Sequence, residues 1–85
     1  NIFTAERYMH ILERQEMKGQ LERIKEALVE PDIIKRSIND ENVWLYYRLH
    51  EDSPVSEKYL LVAVKHRTED AFVLTAFYTD RIKRG

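Results

Sequence analysis

Residues 59 to 85 read YLLVAVKHRTEDAFVLTAFYTDRIKRG, two strongly apolar runs joined by a charged turn. Their branched and aromatic content marks both as strands, Lys58 to Arg67 and Ala71 to Thr79, closing a hairpin around Thr68, Glu69 and Asp70. If those residues form the turn, Arg67 pairs with Ala71, Lys65 with Val73, Ala63 with Thr75 and Leu61 with Phe77. Leu60, Val62, Val64, Phe72, Leu74 and Ala76 then share one face, the expected core. Lys65 and Thr75 emerge together on the other face as diagonal neighbours roughly 5 to 8 Å apart, with the small Ala63 opposite Thr75. A shorter turn would slip the strands and scatter these groups over both faces. The second face also carries Tyr59, Leu61, Val73 and Phe77. It is too apolar to sit bare in water, so it borders a groove, a partner or a covering segment.

Working back from the hairpin, EDSPVSE is a true loop marked by Ser53 and Pro54. VWLYYRLH before it is a strand, on which Trp44, Tyr46 and Arg48 share one face and Val43, Leu45, Tyr47 and Leu49 the other. The second set is the better core candidate. NDEN is a turn, and DIIKRSI a first, edge strand. Before Ile33 the apolar period changes from ~2 to ~3.6. A helix from about Lys18 to Val29 carries the stripe Met17, Leu21, Ile24 and Leu28, and Pro31 ends it. A leading helix over residues 3 to about 14 carries Ala5, Tyr8, Met9 and Leu12, with Thr4 as N-cap and RQEMKG as the connecting turn. His10 and Arg14 lie off that stripe, one turn apart on a common face. The expected architecture is α+β, with two N-terminal helices packed on one face of a four-stranded antiparallel sheet.

Composition sets the bounds. A chain of 85 residues builds one modest core, so residues 1–85 are read as a single domain. With 44% hydrophobic residues and only two Gly and two Pro, it should fold nearly end to end. No apolar run approaches the ~20 residues that span a bilayer, and the N-terminus lacks a signal-peptide layout, so a soluble, cytoplasmic protein with no membrane partner is expected. The absence of Cys excludes disulfides, a thiol nucleophile and thiolate zinc sites. A formal charge of -1 provides no global field for polyanions, so any nucleic-acid site must be local. His10, His50 and His66 have no metal-ligand spacing; no metal and no cofactor are expected. The chain opens on Asn rather than Met, as a segment of a longer protein would.

The string HILERQEM, followed in order by IKEALVEPDIIKRS, LYYR, KYLLVAVK and FVLTAFYTDRIKRG, resembles the small phage- and toxin-associated nuclease domains of the BECR fold, named for barnase, EndoU, colicin and RelE. The likeness runs from about Tyr8 to Gly85 and lies in the collinear order of the pieces. It implies one or two helices before a four-stranded antiparallel sheet, and metal-free cleavage of RNA. Carried over by position, it implies catalytic roles for His10, Arg14, Arg48, Lys65 and Thr75, and substrate contacts from Tyr46 and Tyr47. Gln15 stands where many members have a second His directly after the Arg.

Such cleavage needs the 2'-hydroxyl made nucleophilic, the leaving 5'-oxygen protonated and the phosphorane charge stabilised. His10 suits proton transfer, with an unperturbed pKa near ~6.5. Lys65, Arg48 and Arg14 suit phosphate, and Thr75 would hydrogen-bond a phosphate oxygen. Trp44, Tyr46, Tyr47 and Phe77 are candidates for base stacking or for the core, with Tyr46 favoured because it sits beside Arg48. Arg81, Lys83 and Arg84 offer phosphate contacts or simply a charged end. The expected partner is transfer or messenger RNA, with an inhibitor (antitoxin) protein covering the sheet. The alternatives are a non-catalytic protein- or RNA-binding module on the same fold, and a homodimer joined through the apolar face.

Overall fold

The computed structural model describes Met17 and residues 19–82. Among these the order is helix α1 (Leu21–Val29), then strands β1 (Ile33–Arg36), β2 (Val43–Leu49), β3 (Tyr59–His66) and β4 (Ala71–Thr79). The strands form one four-stranded antiparallel meander in the order β1-β2-β3-β4. The class is α+β, with a single helix among the described residues. The expected leading helix falls outside them.

Helix α1 begins later than the periodicity suggests, because Gly19 sits at φ 74° and interrupts a right-handed path that would have started at Lys18. Gln20 precedes the helix, and its side chain is diverted from capping to accept a hydrogen bond from Tyr78 Oη at 2.7 Å. At the other end Pro31 follows Glu30, whose N–H still reaches Glu26 O at 2.8 Å. Ile24 and Ala27 are the buried face of α1.

The sheet is buried on both sides. With Met17, Ile24 and Ala27, the helix side holds Leu60, Val62, Val64, Val73, Ala76 and Tyr78, and Leu28 and Tyr46 pack against them. The far side holds Val43, Leu45, Tyr47, Leu61 and Ala63, against which Ile33, Tyr59, Leu74, Phe77 and Ile82 pack. The core is therefore not confined to one face of the hairpin.

Two corrections to the expected register follow. From Ala63 outward to the strand ends the pairing is as expected, Ala63 with Thr75 and Leu61 with Phe77. Between Ala63 and Val64 a bulge inserts Leu74 as an extra residue, so Val64 pairs with Val73, Lys65 with Phe72 and His66 with Ala71. Val73 thus enters the helix-side core, while Leu74 packs on the far side and Phe72 sits opposite Lys65. The second correction concerns β2. Tyr46 pairs with Val62 and Tyr47 with Leu61, so the apolar sets chosen on β2 and β3 belong to opposite layers. Leu49, placed in the β2 set, is 41% exposed.

Candidate functional site

Strand parity decides where each predicted side chain goes. Lys65 follows Leu61 and Ala63 in alternation, and Thr75 lies directly opposite Ala63, so both stand on the far side of the sheet as expected. The bulge does separate them further, because Lys65 pairs with Phe72, three residues from Thr75, rather than with Val73, two residues from it, and Leu74 is inserted between. Arg48 pairs with Leu60 and therefore stands on the helix side. The expectation that Arg48 and Lys65 serve one phosphate is not met, since the sheet separates them.

Lys65 is fixed by the β1–β2 turn. Its ammonium donates to Asp40 Oδ2, while the Asn42 N–H donates to Asp40 Oδ1 at 2.9 Å. The Lys65 contact first, and the Asn42 N–H second, hold the Asp40 carboxyl below the ordinary carboxylate range. Beside Lys65 lies a shallow hollow of about 480 Å³ lined by Asn42, Lys65, His66, Arg67 and Thr68. The Arg67 guanidinium grips Asp70 through two hydrogen bonds of 2.7 and 2.6 Å, which depress the Asp70 pKa, and lies 4.9 Å from the Phe72 ring centroid.

The remaining predicted residues divide among different surroundings. Tyr47 is fully buried in the far-side core, where it cannot offer a ring to a base. Tyr46 packs on the helix-side core and Phe77 on the far side, both half-buried. Arg81 is exposed, its N–H donating to Thr79 Oγ1 at 3.1 Å. His10, Arg14, Gln15, Lys83 and Arg84 lie outside the described residues.

A polar cluster that the sequence reading passed over occupies the joint between α1 and the sheet. Arg23 donates to Tyr78 Oη at 3.2 Å and to Asp52 Oδ2 at 2.8 Å. Arg48 Nε approaches Glu26 Oε1 at 3.0 Å and its Nη1 donates to the Glu30 carbonyl. His50 follows Arg48 at strand spacing, with its side chain only 10% exposed and Nε2 3.9 Å from Glu26 Oε1, too far for a hydrogen bond. Its ring meets Tyr78 edge-on at 6.3 Å. Burial, and then the nearby Arg23 charge, lower the His50 pKa from its ordinary 6.5. The signal was present in the sequence: Arg23, Glu26 and Glu30 recur at helical spacing on one flank of α1, and Arg48 and His50 at strand spacing on β2. Only the docking of α1 on the sheet shows that the two sets meet.

Comparison of the chain with protein-family models, with curated proteins and with solved structures finds no match. Among the described residues no helix is long and apolar enough to cross a membrane. No group of three or more His, Asp or Glu among them is arranged to hold a metal ion. The ionisable groups therefore carry what can be argued about chemistry. On the helix side Arg23 and Arg48 are each matched by a carboxylate where α1 meets the sheet and its loops, an arrangement that ties elements together. On the far side the Lys65 ammonium, held by Asp40, lines a hollow, and Thr75 stands on the same face opposite Ala63, outside that lining.

Proposed function

We propose that the chain is a metal-independent endoribonuclease of the toxin kind, acting in the cytoplasm on transfer or messenger RNA. The observation that supports this reading is that Lys65 and Thr75 stand on the same face of the β3–β4 hairpin, with the small Ala63 opposite Thr75. In the reaction the 2'-oxygen bonds to phosphorus as its proton passes to a base. The bond from phosphorus to the 5'-oxygen then breaks, and an acid protonates that oxygen. Lys65 would neutralise the phosphorane oxygens, exchanging the Asp40 carboxylate for phosphate, and Thr75 would donate its hydroxyl to a second oxygen. His10 is proposed for proton transfer and Arg14 for phosphate. With these residues on a leading helix the architecture becomes the two-helix, BECR-like one. Arg48 has no place in this site.

A second reading, a non-catalytic binding module on the same fold, is favoured by one specific observation. Lys65 and Arg67 are each held by a carboxylate of the chain itself, Asp40 and Asp70. Under it the partner is a protein such as an inhibitor, or a second copy.

Incubation with transfer and messenger RNA in chelator separates the two. The nuclease reading expects fragments ending in 2',3'-cyclic phosphate, lost in Lys65→Ala and His10→Ala with the fold retained. RNA left whole by the folded wild type, or cutting that survives both substitutions, would sink it.

A further inference from the structure

Helix α1 packs chiefly on β3 and β2, so among the described residues no helix covers the helix-side face of the sheet towards β1. Ile34, 48% exposed, and Arg36 stand there on β1, directly opposite Tyr46 and Trp44 of β2. Trp44 is half-buried, and the Arg36 guanidinium carbon lies 4.5 Å from the centroid of its ring. At that distance the guanidinium faces the indole in cation–π contact. Arg36 differs from the other well-placed cations of the molecule. Arg23, Arg48, Lys65 and Arg67 are each tied to a carboxylate, whereas among the described residues Arg36 makes no ion pair. The result is a layered pair, indole below and guanidinium above, whose charge no carboxylate described here offsets.

Resting on the nuclease reading, we infer that Arg36 and Trp44 form a docking platform for single-stranded RNA, on which one unpaired base stacks while the guanidinium charge holds an adjoining phosphate. Two properties select that ligand. A guanidinium plane and an indole both accept a base face, and every base has one, so stacking here is tolerant of sequence. The uncompensated charge adds a phosphate contact that a neutral apolar partner would leave unused, so Arg36 complements a polyanion better than a second copy of a chain of net charge -1. Arg36 and Trp44 lie on the opposite face from Lys65 but at the same end of the sheet, since Trp44 pairs with Val64 and the adjacent Val43 pairs with Lys65. A strand rounding the β1–β2 turn past Asn42 would reach from the platform to the hollow beside Lys65.

The chain contains a single tryptophan, so its fluorescence reports on this platform alone. The test uses a dye-labelled, single-stranded 2'-O-methyl oligonucleotide, which cannot be cut because it has no free 2'-hydroxyl, and an abasic strand of equal length. Two signals are read, dye anisotropy for binding and Trp44 emission for stacking. The base-bearing strand should bind and quench Trp44, and the abasic strand should bind about tenfold more weakly with no quenching. Arg36→Ala should weaken binding of the base-bearing strand by a similar factor. Arg36→Lys should fail to restore it, because an ammonium keeps the charge but not the plane.

Binding with unchanged Trp44 emission would overturn the platform and leave RNA docked elsewhere. Trp44 emission that shifts with protein concentration and ignores both strands would make this surface an interface between copies instead. Absence of binding by either strand also overturns the proposal. Cleavage of natural RNA in chelator, scored separately, bears on the nuclease reading alone.

Discussion

On the helix side of the sheet, Arg23 and Arg48 reach across to Asp52 and Glu26, and each ion pair links an element of the sheet or its loops to α1. On the far side, Lys65 is bound instead to a turn, by Asp40, at the margin of an apolar layer that includes Tyr47 and Leu61. Both arrangements neutralise a cation, but they differ in what displacement would cost. The two pairs are similarly exposed, at 26% and 46% for Arg48 and Glu26 against 29% and 37% for Lys65 and Asp40, so the difference lies in what each tethers: releasing Arg48 loosens a helix from the sheet, and releasing Lys65 loosens only a turn. The comparison teaches that a strand cation is available to a ligand when its partner is a turn residue, and is committed to structure when its partner sits on a packed helix.

The largest test of this contrast asks whether the far side is a core in its own right. Tyr47→Ala and Ile24→Ala remove fully buried side chains from the two layers, and each should cost about 3 to 5 kcal/mol of unfolding free energy in denaturant titration. A cost below about 1 kcal/mol at Tyr47 would mean that the far layer does not stabilise the domain. Next, under the nuclease reading, Lys65→Ala should lower the cleavage rate by roughly 100- to 1000-fold, the usual loss on removing a donor to transition-state charge. Arg48→Ala should leave that rate within about threefold once the fraction folded is matched. The opposite ranking would move the active face to the helix side.

Smaller effects sharpen the same comparison. Glu26→Gln should reduce stability by about 1 kcal/mol, because the Arg48 pair is half-exposed. Glu22→Gln, whose Lys25 partner is 3.9 Å away on the open surface, should change stability by under about 0.5 kcal/mol. Equal losses in the two variants would show that the joint is no tighter than an ordinary surface pair.

The least effect concerns acidity. The folded-state pKa of His50 lies below its ordinary 6.5, so the stability it contributes is complete above 6.5. As pH falls below 6.5 the unfolded chain takes the proton first, and stability declines until the folded state is protonated as well. Denaturant midpoints should therefore drop as pH falls below 6.5, and His50→Gln should flatten that stretch. Asp40 and Asp70, lowered from 3.8 by their basic partners, begin to lose their contribution only near and below 3.8. An unchanged slope in His50→Gln would remove His50 as the titrating group.

Local periodicity was sufficient to read the four strands and, apart from its start, the helix among the described residues. The last strand, expected over Ala71 to Thr79, occupies those residues, and the other three strands differ only at their ends. Alternation along a strand depends on neighbouring residues and survives any tertiary arrangement. Lys65 and Thr75 share a face as alternation implied, but the pairs beside the turn are displaced by one residue, and only those from Ala63–Thr75 away from the turn keep the expected register. What sequence could not yield was the parity between strands that do not share that hairpin. Whether Arg48 and Lys65 face the same way depends on Tyr46 lying opposite Val62 rather than Leu61, a choice made by packing both layers at once.

The amino-acid sequence by itself determined the strand and helix periods, the turn positions, the lack of thiol chemistry and the shared face of Lys65 and Thr75. Each follows from residue types within a few positions of one another. Only the tertiary structure decided the bulge at Leu74, the burial of both sheet faces, the meeting of Arg23, Glu26, Arg48 and His50, and the contact of Arg36 with Trp44. These depend on how distant segments share one packed volume, where displacing a strand by one residue turns every side chain to the opposite face.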